Sequence, residues 1–197
     1  GLLQEEIEPI IHLPLSLTNP IVPEQIEPLL EVYAKWGVNY VIFFDRPNSR
    51  SAWGDVAWSQ KNIVKNFVDQ FFPLAECAYR HGLTPVLSPM EPGGPYWDTV
   101  FLREALELMN DRDLNGILGH MALSAYGWSW GRPLNWGSGG PERWPLTKPY
   151  RVPAGSEDHR GFRIYDWYQS IANCVLQKPC PIILLQTGLM ADPYKGK

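Results

Sequence analysis

The chain has 197 residues, of which 45% are hydrophobic, so it is long enough to bury a core and is expected to form one domain over residues 1–197. The formal net charge is −4, and the 19% of charged residues are of mixed sign, which argues against nucleic-acid binding through phosphate neutralisation. No stretch approaches about 18 uninterrupted apolar residues, so we expect no membrane span.

Cysteine usage and the first residues give weaker information. Cys77, Cys174 and Cys180 form no CxxC pair, and we interpret them as buried thiols rather than as a disulfide or zinc framework. The chain begins at Gly1 without a basic and apolar leader, so no secretory signal is expected. The absence of an initiator Met is consistent with a processed or truncated piece. The cellular compartment stays open.

Strand-like and helix-like segments alternate along the chain. In chain order, the predicted elements are a strand over residues 10–15, a helix from Pro23 to Gly37, a strand over 38–44, a helix over 58–81, a strand over 83–87, a helix over 97–110, a strand over 117–123, a long loop over 126–160, a helix over 161–176 and a strand over 181–185. Pro73 is expected to kink or split the second helix. The strands are continuously apolar, which is typical of parallel sheets covered by helices.

This alternation predicts an α/β fold made of right-handed βαβ units. Two architectures fit it: a (β/α)8 TIM-type barrel and an open doubly wound parallel sheet. The dinucleotide-binding version of the open sheet needs a Gly-rich turn directly after a strand, and neither IIHLPL nor VIFFD is followed by one. A complete barrel usually needs about 250 residues. We therefore favour a partial or truncated barrel, with the open sheet as the alternative.

Polar side chains gather where the predicted strands end, which is where both architectures place ligands. Two carboxylates, Asp45 and Glu91, lie closest to strand ends. Glycoside hydrolysis needs such a pair, one to protonate the leaving oxygen and one to act as nucleophile or base. Glu91 is the predicted acid because apolar residues flank it, whereas Asp45 precedes a cation, Arg46. The alternative interpretation is that Asp45 pairs with Arg46 or Arg50 and that Glu91 caps a turn.

Aromatic residues are concentrated in the segment YGWSWGRPLNWGSGGPERW, which starts the long loop over 126–160. Trp and Tyr rings stack on the apolar faces of sugars, so this loop is predicted to act as a lid over the strand ends. The alternative is that the rings only pack the loop onto the rest of the chain. The predicted substrate-binding residues are Arg46, Asn48, Trp97, His120, Tyr126, Trp128 and Trp136.

A metal site is the main competing interpretation of the polar residues. His12 and His120, with Asp45 and Glu91, could supply imidazole and carboxylate ligands for a metal-dependent hydrolase. No HxH or HExxH spacing supports that set, so we predict no metal and no cofactor. A third hypothesis is a non-catalytic, barrel-like subunit whose open sheet edges are covered by a partner chain.

Three runs carry a resemblance to a known group of proteins: FFDRPNSR, SPMEPGGPYWDT, and YGW…PLNWGSGGPERWP…DHRGFRIYDWY. They resemble uncharacterised bacterial proteins with a glycosidase-like TIM barrel, over about residues 38 to 188. The resemblance implies a carbohydrate-active barrel whose partner is an oligosaccharide or polysaccharide. Motifs of characterised glycosidase families are absent, and the fifth predicted strand ends in Gln186 where an acid would be expected. A second catalytic carboxylate could therefore lie on a late strand outside these 197 residues.

Overall fold

The fold consists of parallel strands connected by helices. A computed structural model describes residues 2–5, 7–59, 62–112 and 116–188. Its strands are β1 (Ile10–Leu13), β2 (Tyr40–Phe43), β3 (Thr84–Val86), β4 (Leu123–Trp128) and β5 (Ile182–Gly188). Its α-helices are α1 (Pro23–Lys35), α2 (Arg50–Trp58), α3 (Ile63–Arg80), α4 (Asp98–Asn110), α5 (Gly140–Arg143) and α6 (Ile164–Leu176), and 3-10 turns cover Leu2–Glu5 and Ile117–His120.

All strand pairs of the described residues are parallel: β1 pairs with β2, β2 with β3, and β4 with β5. One sheet has the order β1-β2-β3, and a second contains β4 and β5. An isolated parallel bridge between Val86 and Ala122 connects the two sheets, supported by a backbone hydrogen bond of 2.8 Å from Leu87 N–H to the Ala122 carbonyl. The prediction of parallel strands is therefore confirmed, but the predicted single sheet is instead two sheets joined by one bridge. The described strands do not close into a barrel, because β1 and β5 are not paired with each other.

Alternate strand residues face two different clusters, as the pleat requires. Val41 and Phe43 join a large core with the helices, in which the ring of Phe71 contacts those of Phe43 and Phe67. Ile42 instead belongs to a small buried cluster with Val86 and Ala122. Every member of that second cluster, including its partly buried neighbours Tyr40, Ile183 and Leu185, is a strand or bridge residue.

The helices between these strands pack side by side in chain order. α1 contacts α3, α3 contacts α4, and α4 contacts α6, while α3 packs on β2 and β3 and α6 packs on β4 and β5. Together they bury the large core on one side of the sheets. Burial of each large apolar side chain in such a core contributes about 1.5–3 kcal/mol.

Of the two effects expected of Pro73, a kink or a split of the second helix, the split does not occur. α3 runs from Ile63 to Arg80 with Pro73 inside it. A proline costs a helix about 3 kcal/mol, but ten buried residues along α3, among them Phe67 and Phe71, outweigh that cost. The predicted start at residue 58 is also wrong, because residues 50–58 form the separate helix α2, in which Gly54 adopts a non-helical φ of 67°.

The fourth strand begins later in the chain than the sequence predicts. Residues 117–120 form a 3-10 turn whose Ile117 and Leu118 are buried, and β4 begins only at Leu123. A short buried apolar run gives no periodicity that separates strand from turn, which explains the error. One cysteine expectation also fails, since Cys77 and Cys180 are buried thiols but Cys174 is exposed. None of the described helices is long and apolar enough to cross a membrane.

Candidate functional site at the carboxyl ends of the strands

The backbone around Asp45 is strained immediately after β2. Phe44 has a φ of 63° and Arg46 a φ of 45°, both in the left-handed region that non-glycine residues rarely adopt. Such conformations cost roughly 1–3 kcal/mol each and occur most often at functional sites. Hydrogen bonds of 2.9 Å from Phe44 N–H to the Leu13 carbonyl and from Arg46 N–H to the Pro89 carbonyl hold the turn. Asp45 is thus fixed between two neighbouring strand ends.

Polar side chains on or just after the strands form hydrogen bonds with carbonyl groups at the ends of neighbouring strands. His12 Nε2 lies 2.7 Å from the Phe44 carbonyl, Ser88 Oγ donates to the Phe43 carbonyl, and Ser124 Oγ donates to the Leu87 carbonyl at 2.6 Å. These side chains satisfy backbone groups that the ladder leaves open where the strands separate. Their role is to hold the strand ends in position.

The two predicted carboxylates meet at one guanidinium group. Arg46 Nε donates to Asp45 Oδ2 at 3.0 Å, and Arg46 Nη1 lies 3.3 Å from Glu91 Oε2. The guanidinium is rigid, so these contacts limit the separation of the two carboxylate oxygens to at most about 9 Å. Burial alone would lower the pKa of Arg46, but the contacts with Asp45 and Glu91 outweigh it and raise that pKa. The cation therefore does not distinguish Glu91 from Asp45 as the acid, because Arg46 contacts both carboxylates.

A row of aromatic rings continues from the carboxylates. Tyr126 Oη donates to Asp45 Oδ1 at 2.5 Å, and its ring stacks on Trp128 with centroids 4.7 Å apart and planes 6° apart. Residues two apart on a strand point to the same face, which is why these two rings meet. Trp130 then packs edge-on against Trp128 at 5.2 Å and is 39% exposed. Burial, together with Asp45, raises the pKa of the Tyr126 hydroxyl well above its usual range.

Asn48 has a different role from the predicted one. Its side chain is fully buried, and its amide oxygen accepts from the Glu91 N–H at 2.8 Å. Its amide nitrogen donates to the carbonyls of Glu91 and Tyr96, both at 2.9 Å. Asn48 therefore positions the backbone of Glu91 instead of contacting a substrate.

Three other predicted residues lie outside this group. His120 stacks on Tyr79, with centroids 4.8 Å apart, in the turn that precedes β4, so it lies at the amino end of that strand. Trp97 is buried just before α4, where its ring meets Tyr150 and His159. Trp136 donates its indole N–H to Asp158 at 3.0 Å. The placement of His120 at the strand ends is therefore wrong, and Trp97 and Trp136 pack the long loop.

Two buried carboxylates that we did not predict as important anchor that loop. Asp158 accepts from Arg132 Nη1 at 2.5 Å, from Arg160 Nε at 2.7 Å and from Trp136. Burial alone would raise the pKa of Asp158, but the Trp136, Arg160 and Arg132 contacts together lower it. Asp98, at the start of α4, lies 2.7 Å from His159 Nε2 and accepts from Tyr168 Oη at 2.8 Å. The DHR triplet at 158–160 is the feature of the sequence that could have indicated these contacts.

The alternative metal set of His12, Asp45, Glu91 and His120 does not assemble. His12 Nε2 is hydrogen-bonded to a backbone carbonyl, and His120 lies before β4. Within the described ranges, the group with donor atoms close enough to hold a metal ion is a different one, formed by Glu27, Cys77 and His81.

No protein-family model matches the chain, and no curated protein matches it either.

Proposed function

We propose that the chain is a glycoside hydrolase-like, carbohydrate-active protein whose site is formed by Asp45, Glu91 and the rings of Tyr126, Trp128 and Trp130. The observation that carries this proposal is the contact of both carboxylates with Arg46, directly beside a stack of aromatic rings. A carboxylate pair provides the acid and the nucleophile or base of glycoside hydrolysis, and the rings provide a surface for sugars.

The proposed architecture is part of a (β/α)8 barrel, similar to the glycosidase-like group that the sequence resembles. The strand order β1-β2-β3-β4-β5, read across the Val86–Ala122 bridge, has no reversal. A doubly wound sheet reverses its order and carries helices on both faces. The second cluster around Ile42 consists only of strand and bridge residues, as expected for the inner face of a barrel.

The contacts favour different roles for the two carboxylates. Asp45 is held by two donors, Tyr126 Oη and Arg46 Nε, so its position is fixed, which suits a nucleophile or base. Glu91 has one longer contact of 3.3 Å with Arg46 and keeps 27% of its side chain exposed. If Arg46, which is 45% exposed, moves aside when a sugar binds, Glu91 can reach the leaving-group oxygen. The upper limit of about 9 Å between the oxygens includes both retaining and inverting separations.

Glycan binding without hydrolysis is the second candidate function. Arg46 pairs with both carboxylates, and an ion-paired carboxylate accepts hydrogen bonds rather than donating a proton. A site that binds sugar hydroxyls through Asp45, Arg46 and Glu91 needs no proton transfer. Hydrolysis measurements separate the two candidates.

The test is to assay the protein, Glu91→Gln and Asp45→Asn on aryl glycosides and oligosaccharides between pH 4 and 9. Either substitution should reduce kcat by about 10²-fold or more while leaving glycan binding within a few fold. Glu31→Gln is the matched control, because Glu31 is an exposed carboxylate paired with Lys35 on α1. Hydrolysis that survives both site substitutions would contradict the proposed active site, and binding without turnover would leave the second candidate.

A further inference from the structure

A second group of polar side chains lies away from the strand ends, between α1 and the end of α3. Glu27 of α1 and Cys77 and His81 of α3 and its C-cap have donor atoms that all lie within 4.8 Å of one another. We call these residues the Glu27–Cys77–His81 cluster. Cys77 and His81 are one helical turn apart, so both point to the same side of α3. His81 Nε2 lies 2.9 Å from Glu27 Oε1.

We propose that the Glu27–Cys77–His81 cluster is a binding site for a zinc-like divalent cation. Thiolate, imidazole and carboxylate are the three ligand types that proteins use for Zn²⁺. The thiolate and the carboxylate together carry two negative charges, which balance the charge of the ion. None of the three residues takes part in the Asp45–Glu91 site, so this proposal does not depend on the function of that site.

The distances between the donor atoms are close to those that a tetrahedral site needs. Zinc lies about 2.0–2.3 Å from nitrogen, oxygen and sulfur ligands, so ligand atoms are roughly 3.3–3.7 Å apart. The donors lie within 4.8 Å, so side-chain movements of about 1 Å bring them to the ion. The direct contact between His81 and Glu27 is replaced by two bonds to the metal.

Binding involves one proton transfer and leaves one coordination position open. The Cys77 thiol loses its proton to solvent as the sulfur–metal bond forms, so no oxidant or reductant is needed. Cys77 is buried, but Glu27 is 42% exposed and His81 23% exposed, which gives the ion a path from solvent. A water molecule completes the tetrahedron. Since the ligands come from two helices, the ion would clamp α1 to α3.

The simpler alternative is that His81 and Glu27 form only an ion pair and Cys77 only a core thiol. Titration of the full chain with Co²⁺ and Zn²⁺ distinguishes the two. Co²⁺ bound to a thiolate gives a charge-transfer absorption band, whereas Co²⁺ held by carboxylate and imidazole alone does not. The variants are Cys77→Ser, His81→Gln and Glu27→Gln, and the control is Cys174→Ser, because Cys174 is an exposed cysteine outside the cluster.

We expect one equivalent of Co²⁺ to produce the thiolate band in the unmodified protein and in Cys174→Ser, and Zn²⁺ to displace it. Cys77→Ser should lose the band, and His81→Gln and Glu27→Gln should bind Zn²⁺ at least about tenfold more weakly. Circular dichroism identifies any variant that fails to fold, and Glu27→Gln, at an exposed position, keeps the test valid if Cys77→Ser does not fold. Absence of the band in the unmodified protein, or unchanged Zn²⁺ affinity in Glu27→Gln and His81→Gln, would overturn the proposal.

Discussion

Asn48 lies just after the turn at Asp45, and its side chain is fully buried. It makes three hydrogen bonds with the backbone of Glu91 and Tyr96. We expect Asn48→Ala to destabilise the fold by about 2–4 kcal/mol, because the Glu91 N–H and the Tyr96 carbonyl lose the partner that Asn48 supplies, and the Glu91 carbonyl keeps only its bond from the Gly94 N–H. It should also reduce any activity that needs Glu91. Urea unfolding measures the first effect, and an exposed amide change, Asn19→Ala, is the control. Destabilisation below about 0.5 kcal/mol would contradict the positioning role.

Single residues show which parts of the site can be predicted from sequence. Asp45, Arg46, Glu91 and Tyr126 were predicted because they lie at or after strand ends, and parallel strands bring their carboxyl ends together. Trp128 was predicted because it belongs to the aromatic segment of the long loop. Their mutual contacts could not be predicted, since these depend on the left-handed backbone at Phe44 and Arg46.

The other predicted residues are aromatic or polar, like the residues of the site, but they do not contact those residues. Trp97 and Trp136 are aromatic residues with buried partners inside the long loop and beside α4. His120 lies at the amino end of β4 instead of its carboxyl end, because that strand begins six residues later than predicted. A polar or aromatic residue near a strand end is therefore a useful indication of a site only when the strand boundary is correct.

Residues 126–128, predicted to start the long loop, belong to β4, so the loop begins after Trp128. Asp158 holds this loop, and its contacts give a prediction for acid stability. The pKa of Asp158 is lowered in the folded protein, so its stabilising contribution is complete above the unfolded pKa of about 4 and is lost as the pH falls through the lower folded value. We expect Asp158→Asn to be less stable at pH 7 and to lose less further stability between pH 5 and pH 3. Thermal unfolding across this range measures the difference.

Asp55→Asn is the matched control, because Asp55 also pairs with an arginine, Arg50, but lies on α2, away from the loop. Equal pH dependence in Asp158→Asn and the unmodified protein would show that Asp158 does not anchor the loop.

The loop contacts the segment between β3 and α4, where Tyr150 Oη accepts from the Trp97 N–H at 2.8 Å. That the loop acts as a lid over the strand ends remains a prediction.

At the scale of the whole molecule, the helices lie in chain order on the large core and the strands follow the same order. Alternation of apolar strands and amphipathic helices predicts this arrangement because each βαβ unit is right-handed. Closure of the strands into a barrel could not be predicted, since it depends on how the strands at both edges pair. β1 and β5 each have an edge without a strand partner among the described residues, and such edges favour pairing. We expect further strands or a partner chain to cover them.

The central claim is that a sugar binds where the carboxylates and the aromatic row meet. The most direct measurement is a titration of the protein with neutral oligosaccharides, followed by saturation-transfer NMR or calorimetry, for the parent, Trp130→Ala and Trp36→Ala. Trp130 is 39% exposed at the end of the row, and Trp36 is 66% exposed after α1, so both are accessible indoles and only one lies at the site. We predict that Trp130→Ala weakens binding roughly 3- to 10-fold and that Trp36→Ala leaves it unchanged. No binding by the parent, or equal weakening in both variants, would contradict the claim.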